Sequence, residues 1–335
     1  MTNGIRYGEA PSDGAGLVVG VDIGGTNSVV GAVDETGRLR AQAHFPTRAR
    51  ESAELFVPRL AQVISGLCEE LAPHIQLRGI GIASPAASTR EGIVDNPANF
   101  QWGKVDLAGM VGRYFDVPVM IMNDSDAAVL GETRYGAARG MSNVLLVTLG
   151  TGLGAGIVAD GKLLEGAHGA AGEIGHIIVS PGGRECTCGR RGCAETYISA
   201  TGVCRTVFEL LAGSVAPTPL RGVSYDALTA ELVASLALQG DRCAAEAFER
   251  TGHALGLLLA NVVAEFDPEA IVLCGGLIHA GELLAAPAQT SFAQHVLGRY
   301  KGKVRLLLST LNDGEAAILG ASSFARDRLH EVVVR

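Results

Sequence analysis

The sequence predicts an α/β protein made of two similar halves, and three observations support that prediction. Short apolar runs rich in β-branched residues alternate with longer segments in which apolar residues recur at helical spacing. Two of these runs, residues 17–23 and 143–149, each lead through a glycine-rich turn that contains threonine into a second strand. At 335 residues the chain is also long enough for two domains.

The composition is that of a well-packed globular protein, with 47% hydrophobic and 19% charged residues. A net charge of −8 without a basic stripe disfavours nucleic-acid binding as the main activity. The chain has no apolar run of 18 residues that would predict a membrane helix, and residues 1–16 lack the apolar core of a signal peptide. We therefore expect a cytoplasmic protein whose residues 1–16 form a flexible leader.

Periodicity assigns most of the remaining chain to strands and helices. The predicted strands cover residues 17–23, 28–33, 39–45, 78–83, 117–122, 143–149, 157–159, 270–274 and 303–308. The predicted helices cover residues 52–72, 125–135, 196–211, 224–238, 241–266 and 315–329. The segment 84–102 has no clear period, and a loop of that length in a compact domain is often functional. Within it, Asn99 is a candidate ligand contact or a turn residue, and Trp102 is predicted to pack.

The turn after the first predicted strand is a candidate phosphate-binding site. Consecutive N–H groups in such a turn can point at an anion, and threonine and asparagine add further donors. The carboxylate before the turn would hold hydrated magnesium and would not touch phosphate directly. The alternative is an ordinary hairpin turn. The residues concerned are Asp22, Gly24, Gly25, Thr26 and Asn27.

Two further glycine-containing junctions are candidate nucleotide contacts. Gly150, Thr151 and Gly152 follow the strand 143–149 and repeat the layout of the first turn. Gly275 and Gly276 follow the strand 270–274 and could let an adenosine ring lie against the backbone. A near match to the P-loop at 156–162 is rejected because leucine follows its lysine where serine or threonine is required.

Asp124 follows a predicted strand directly and precedes a helix. This is the position at which α/β folds place ligands and reactive groups. The alternative is that Asp124 caps the helix, because aspartate is a good N-cap residue. Ser125 or Asp126 could provide that cap instead, which would leave Asp124 free for chemistry.

A cluster of three cysteines and one histidine predicts a structural zinc site. His176, Cys186, Cys188 and Cys193 have the spacing H-x9-C-x-C-x4-C, and four protein ligands leave no coordination position open for catalysis. The alternatives are ordinary thiols or a disulfide, which needs an oxidising compartment. The acids Glu173 and Glu195 flank the cluster. The remaining thiols are interpreted as small buried hydrophobic residues, namely Cys68, Cys204, Cys243 and Cys274.

Together these motifs resemble those of the ROK family (repressor, open reading frame, kinase) within the actin-like ATPase superfamily. The resemblance covers residues 17–325 and is carried by DIGGTN at 22–27, ND at 123–124, LGTGLG at 149–154, GEIGH at 172–176, CTCGRRGCAE at 186–195 and CGGL at 274–277. It implies an α/β fold of the actin-like, ribonuclease H-like type, with two domains and a cleft between them. The expected domains are a small one at 17–124 joined by the helix 315–329, and a large one at 125–314 with a zinc loop at 176–193.

The resemblance also implies ATP-dependent phosphorylation of a hexose, most often glucose at its 6-hydroxyl, with magnesium. Asp124 would be the base. His176 would bind zinc through one ring nitrogen and the sugar through the other, and homodimers or homotetramers are expected. The implied sugar contacts are Asn123, Asp124, Gly152, Glu173, His176 and Glu195. Asn99 of the long loop is a further candidate sugar contact, from its position alone.

Several alternatives within the family stay open. The substrate could be N-acetylmannosamine or N-acetylglucosamine, and the phosphate donor could be polyphosphate. Residues 83–87 read ASPAA where many members carry glycine, and the extra methyl groups could narrow the sugar site. A sugar-sensing regulator without kinase activity is also possible. The family's repressors add a helix-turn-helix, for which 16 residues before the first strand are too few.

Overall fold

The computed structural model describes residues 3–7, 16–71, 76–97, 100–312 and 314–333. Its strands are β1 Asn3–Tyr7, β2 Gly16–Ile23, β3 Asn27–Asp34, β4 Leu39–Pro46, β5 Gln76–Ser84, β6 Ala87–Ser88, β7 Ile93–Asp95, β8 Lys104–Val105, β9 Val119–Asn123, β10 Val144–Leu149, β11 Leu153–Ala159, β12 Lys162–Leu163, β13 Ala270–Cys274 and β14 Arg305–Leu308. Its α-helices are α1 Ala53–Leu71, α2 Leu107–Gly112, α3 Asp124–Tyr135, α4 Glu195–Ile198, α5 Ala200–Gly213, α6 Ala230–Leu238, α7 Arg242–Phe266, α8 Glu282–His295 and α9 Glu315–Val333. No helix within these ranges is both long enough and apolar enough to cross a membrane.

The chain forms two compact units. Unit 1 is drawn from the described parts of Met1–Gly140, Glu165–Ala171 and Thr310–Arg335, and unit 2 from Met141–Leu164 and Gly172–Ser309. The short segment Glu165–Ala171 belongs to unit 1, where the Arg90 guanidinium donates a 3.0 Å hydrogen bond to the carbonyl of Gly166.

Both units are built on a mixed sheet whose five main strands have the same order, and unit 1 adds β1 at one edge. Unit 1 has the order β1-β4-β3-β2-β5-β9 and unit 2 has the order β12-β11-β10-β13-β14. In unit 1, β2 pairs antiparallel with β3 and parallel with β5. In unit 2, β10 likewise pairs antiparallel with β11 and parallel with β13. The duplication that the two glycine-rich turns predicted is therefore confirmed by the topology.

The alternation of side chains along β2 explains how helices cover both faces of the unit 1 sheet. Val19 and Val21 point into a core shared with Phe56 and Leu60 of α1. Gly20 points to the other face, where an added Cβ would lie 2.2 Å from the carbonyl oxygen of Ile318 in α9. The missing side chain thus lets α9 lie directly against the strand.

The C-terminal helix α9 is therefore part of unit 1, and it also brings α3 into that unit. An added Cβ at Gly131 of α3 would lie 2.1 Å from the carbonyl oxygen of Ala316, so the two helices pack backbone to backbone. Unit 1 consequently extends to Gly140 and includes α3, whereas the expected boundary was at residue 124.

The leader prediction was wrong for residues 3–7. These residues form β1, which pairs antiparallel with β4 in a register that places Tyr7 opposite Ala41. The physical reason is that β4 would otherwise present an open edge of unpaired backbone groups, and β1 covers it.

The long loop prediction was also wrong in part. Within residues 84–102 the strands β6 and β7 form, and with β8 they make a three-stranded antiparallel sheet. Strands of two or three residues are too short to show a period in the sequence. Trp102 packs as predicted: it is buried between Phe56 and Phe100, and its Nε1 donates to the carbonyl of Glu51 at 2.9 Å.

Two predicted helices are interrupted by capping residues. The segment predicted as one helix at 196–211 is split into α4 and α5 at Ser199, whose hydroxyl accepts the N–H of Gly202 at 3.1 Å. In the segment 224–238 the α-helix begins only after Thr229, whose hydroxyl caps α6. In both cases a short polar side chain satisfies the free N–H groups of a new helix start.

Candidate active site and metal centre

In unit 1 the predicted magnesium-binding carboxylate, Asp22, and the predicted base, Asp124, lie at one edge of the sheet. Asp22 is the penultimate residue of β2, and Asp124 directly follows β9. Strand β5 lies between these strands and parallel to both, with Ala83 opposite Asp22 on one side and Met122 on the other. Because the carboxyl ends of parallel strands meet at the same edge, the fold brings Asp22 and Asp124 together.

Both carboxyl groups have raised pKa values, so their protonated forms are favoured. Loss of hydration, followed by the charge of Asp124, raises the pKa of Asp22 to about 7. Loss of hydration also raises the pKa of Asp124, and the hydrogen bonds from Ser125 only partly oppose this shift. Asp124 is thereby made a stronger base than a solvated aspartate.

Asn123 is the cap of α3, so the expectation that Ser125 or Asp126 provides it was wrong. Asn123 has an extended backbone, and its Oδ1 accepts the N–H of Ser125 at 2.9 Å. Asp124 Oδ1 accepts the same N–H at 2.7 Å. The hydrogen bonds from Ser125 to Asp124 both fall on Oδ1. The arrangement fixes the Asp124 carboxylate without using its Oδ2.

The first glycine-rich turn is open towards solvent. Gly25, Thr26 and Asn27 are exposed, and the N–H of Gly24 closes the turn on the carbonyl of Asn27 at 3.1 Å. An added Cβ at Gly24 would lie 2.8 Å from that same carbonyl oxygen. The turn is therefore tight, and its exposed backbone is available to a ligand.

In unit 2 the second turn is joined to one of the predicted sugar contacts. The carboxylate of Glu195 accepts the N–H of Leu153 at 3.0 Å through Oε2. An added Cβ at Gly152 would lie 2.5 Å from that oxygen. Gly152 and Glu195 are 43 residues apart in the sequence, and the fold brings them together while leaving Oε1 of Glu195 out of this bond.

The two glycines that follow β13, Gly275 and Gly276, have different structural roles. Gly275 has a φ of +90°, and an added Cβ would lie 2.6 Å from the carbonyl oxygen of Leu149. Close strand packing therefore accounts for Gly275. Apart from Gly276 itself and the backbone next to it in the chain, no atom of the described residues lies within 4 Å of the position where a Cβ of Gly276 would be, so its backbone remains approachable.

The predicted zinc ligands converge in unit 2. The side-chain ligand atoms of His176, Cys186, Cys188 and Cys193 all lie within 4.8 Å of one another. Cys188 Sγ is 3.7 Å from Cys193 Sγ, and His176 Nδ1 is 3.6 Å from Cys186 Sγ. A tetrahedral zinc with bonds of about 2.3 Å to sulfur separates its sulfur ligands by about 3.8 Å. The donor set and its spacing thus fit zinc.

The two ring nitrogens of His176 face different partners. Nδ1 faces the thiols, whereas Nε2 is 3.8 Å from Oε2 of Glu173. Glu173 is largely exposed, with 65% of its side chain accessible. The geometry is compatible with the division of tasks implied by the resemblance, in which only one nitrogen binds metal.

Arg190 favours the thiolate form of one ligand. Hydrogen bonds from the backbone N–H and then the side chain of Arg190 lower the pKa of Cys188 to about 6. Arg190 also donates to the carbonyl of His176 at 2.8 Å. One arginine therefore contacts both ends of the ligand cluster.

Arg184 attaches the loop of residues 176–193, here called the metal loop, to the rest of unit 2. This residue was not predicted from the sequence. Its guanidinium is almost fully buried, donates to the carbonyls of Thr196 at 2.6 Å and Gly202 at 3.2 Å, and pairs with Glu209 at 2.6 Å. It also stacks on the ring of Tyr197 at 4.4 Å. The only sequence signal was an arginine in a glycine-rich loop, which does not reveal partners up to 25 residues away.

One predicted contact cannot be placed. Asn99 lies outside the described residues.

Residues 18–328 match the ROK family. The chain belongs to the ROK family. It is 34% identical over 322 residues to a glucokinase of Thermotoga maritima, covering 93% of this chain and 98% of that protein. It is 32% identical to an N-acetylmannosamine kinase of Escherichia coli O157:H7, covering 91% and 97%.

A solved structure of this family has a similar fold. A ROK family glucokinase from Streptomyces griseus, in complex with glucose and AMPPNP, gives a TM-score of 0.78 at 33% identity, covering 93% of this chain and 99% of that chain. Together with the repeated sheet order, this confirms the actin-like α/β fold that the motifs of this ROK member predicted.

The raised pKa of Asp22 predicts a pH-dependent stability. Between pH of about 4 and 7 the folded chain keeps a proton that the unfolded chain has released, so the unfolding free energy falls as pH rises through this window. In magnesium-free buffer Asp22→Asn should be more stable than the wild type at about pH 8, on the order of 1–3 kcal/mol, with the difference vanishing near pH 4. Urea unfolding across that range measures it.

Asp34→Asn is the matched control for this experiment. Burial alone would raise the pKa of Asp34, but hydrogen bonds from Thr36, Arg38 and Arg40 together lower it. Asp34→Asn should therefore lower the unfolding free energy at neutral pH, whereas Asp22→Asn should raise it. A stability of Asp22→Asn that equals the wild type at every pH would contradict the raised pKa.

The metal cluster predicts that Cys188→Ser lowers both zinc content and stability. We expect roughly one zinc per chain in the wild type and far less in the variant, with a lower melting temperature, because metal binding contributes to folding. Elemental analysis and thermal unfolding measure these quantities. Cys243→Ser changes a partly buried thiol of α7 outside the cluster and should leave zinc content unchanged. Equal zinc in both variants would rule out this ligand set.

Proposed function

We propose that this protein is an ATP-dependent hexose kinase that transfers the γ-phosphoryl group to the 6-hydroxyl of a hexose, with glucose as the first choice. The observation that carries the proposal is the pair of carboxylates, Asp22 and Asp124, at one sheet edge of a ROK family chain. The 34% identity to a glucokinase over nearly the whole of both chains supports glucose.

Asp124 is the base in this proposal. As the sugar O6 forms its bond to the γ-phosphorus, Asp124 takes the hydroxyl proton, and the bond from the γ-phosphorus to the bridging oxygen breaks to release ADP. The hydrogen bonds of Ser125 to Oδ1 orient the carboxylate, and Oδ2 is the oxygen proposed to accept the proton. The raised pKa of Asp124 favours this step.

Asp22 and the backbone of each glycine-rich turn are the proposed nucleotide contacts of their own units. Magnesium, when bound, neutralises phosphate charge, and Asp22 would hold it through water. Ionisation of Asp22 near pH 7 is opposed by Asp124, so a cation beside Asp22 would favour its charged form. Gly24, Gly25, Thr26, Asn27, Gly150 and Thr151 are the proposed phosphate contacts, and the approachable backbone at Gly276 is the proposed adenosine contact.

The sugar contacts come from the region that the metal loop supports. Oε1 of Glu195, Nε2 of His176 and the exposed carboxylate of Glu173 are proposed to bind sugar hydroxyls. Asn123 and Asn99 are proposed further sugar contacts, whereas Gly152 is proposed to contact the phosphate that is transferred and not the sugar itself. A structural zinc would fix these groups by holding His176 and the three thiolates in one cluster. Assembly into homodimers or homotetramers is proposed from family membership alone.

N-acetylmannosamine is a second candidate substrate, because the chain is also 32% identical to a kinase of that sugar. One local feature bears on the choice. Ala86 has a φ of +54° in the segment where many family members carry glycine, and its methyl group takes up space in that segment.

The assigned base predicts the behaviour of Asp124→Asn. Its kcat should fall by about 10²–10⁴-fold because the amide cannot accept the proton, while the sugar KM should change little. Steady-state kinetics with a coupled ADP-release assay measure both. Asp116→Asn removes an exposed carboxylate of unit 1 and should behave like the wild type. If Asp124→Asn keeps near-normal turnover, Asp124 is not the base.

A panel of hexoses and phosphate donors tests the function itself. Glucose, mannose, N-acetylmannosamine and N-acetylglucosamine are each offered with saturating ATP, and glucose is also offered with polyphosphate. We expect the highest kcat/KM with glucose and ATP. A higher value for an acetamido sugar would transfer the assignment to the second candidate, and sugar binding without ADP release would indicate a regulator.

A further inference from the structure

The two glycine-rich turns share a feature that their sequences do not reveal: in each, two carbonyl groups are held by donors from elsewhere in the same unit. In the first turn these are the carbonyls of Gly24 and Thr26, and in the second those of Gly150 and Thr151. In both turns one donor is a backbone N–H and the other is a threonine hydroxyl.

Thr47 supplies both donors in unit 1. Its hydroxyl donates to the carbonyl of Gly24 at 2.7 Å, and its N–H donates to the carbonyl of Thr26 at 2.9 Å. A hydroxyl has one proton, so the 2.8 Å bond between Thr47 and Ser28 must be donated by Ser28. The Thr47 carbonyl in turn accepts from Arg59 at 3.1 Å. Thr47 is fully buried, so it holds the turn without being exposed to a ligand.

Residues at the start of α5 perform the same task in unit 2. The hydroxyl of Thr201 donates to the carbonyl of Thr151 at 3.0 Å, and the N–H of Ala200 donates to the carbonyl of Gly150 at 2.9 Å. These donors lie about 50 residues after the turn, whereas Thr47 lies about 20 residues after its own turn. The two units thus reach the same arrangement with different segments.

The direction of these carbonyls determines where the neighbouring N–H groups point. In a planar trans peptide, the carbonyl of one residue and the N–H of the next point in opposite directions. When Thr47 holds the carbonyl of Gly24, the N–H of Gly25 must point away from Thr47. By the same argument the N–H of Gly152 must point away from Thr201. Within the described ranges neither N–H has a hydrogen-bond partner of its own.

We propose that Thr47 and Thr201 are positioning residues that aim the N–H groups of Gly25 and Gly152 at the phosphates of the bound nucleotide. The proposal rests on the proposed kinase function for the identity of the ligand. Each hydroxyl acts through the peptide group it holds and does not itself touch phosphate. Preorganised N–H groups bind anions better than groups that must be ordered on binding.

The test is nucleotide binding by Thr47→Val and Thr201→Val, which remove the hydroxyl and nearly preserve the shape of the side chain. Isothermal titration with magnesium–ADP should show Kd values raised about 5- to 10-fold for each variant. Thr47→Ser and Thr201→Ser keep the donor and should stay within about 2-fold of the wild type. In kinetics, the KM for ATP should rise and the KM for glucose should not.

Matched controls separate positioning from general stability. Thr133 donates to the carbonyl of Val129 within α3, and the exposed Thr290 donates to the carbonyl of Ala286 within α8. Thr133→Val and Thr290→Val therefore lose the same kind of bond away from the turns, and we expect unchanged Kd values. If Thr47→Val does not fold, Thr201→Val tests the same arrangement in the other unit.

The outcomes distinguish this inference from the proposed function. If the wild type phosphorylates glucose and both valine variants bind magnesium–ADP normally, positioning by the threonines is refuted and the kinase stands. If the wild type binds magnesium–ADP with the expected variant effects but phosphorylates no sugar, the kinase is refuted and the positioning role stands. Valine variants that weaken ADP and glucose binding equally, or a wild type that binds no ADP, would also refute the positioning role.

Discussion

The candidate active site of unit 1 depends on an unfavourable arrangement: two carboxylates, which carry the same charge when ionised, are held close together at the edge of one sheet. Parallel strands on either side of β5 bring Asp22 and Asp124 together, and loss of hydration raises the pKa of both. A protein that only needed stability would gain from replacing them, because each charge costs free energy in the folded state. A cation and a proton-donating hydroxyl are the two partners that would offset this cost, and a phosphoryl-transfer reaction supplies both.

The duplicated sheet explains why two glycine-rich turns of the same layout occur in one chain. In each unit the first two main strands are antiparallel neighbours, so the turn that joins them lies at the carboxyl end of the first strand. The strands alone leave the peptide groups of such a turn free to rotate. Neighbouring segments restrict that rotation, through Thr47 in one unit and through Ala200 and Thr201 in the other.

Ile177 and Val179 pack against the core of unit 2, but residues 180–193 of the metal loop carry no large apolar side chain that would fold them by burial. Its order comes instead from the four-ligand cluster, from Arg190 bonded to the carbonyl of His176, and from the buried guanidinium of Arg184 against α4 and α5. A closed tetrahedral site can supply on the order of 10 kcal/mol of apparent binding free energy to folding. This energy would hold His176 and Glu195 in place although the loop between them is rich in glycine.

The sequence by itself determined the α/β class, the duplication, the cluster of one histidine and three cysteines that could hold a metal, and Asp124 as the candidate base. These features follow from local patterns, since strand periodicity, glycine-rich turns and metal-ligand spacing all lie within short stretches. Only the tertiary structure decided that β1 covers the edge of β4, that α3 and α9 pack in one unit and that Asn123 caps α3. It also decided that Thr47 and Thr201 each hydrogen-bond to the glycine-rich turn of their own unit, and that Arg184 hydrogen-bonds to the carbonyls of Thr196 and Gly202. The physical reason is that each of these contacts joins groups whose partners are set by packing and by hydrogen-bond satisfaction across the fold, which no local spacing encodes.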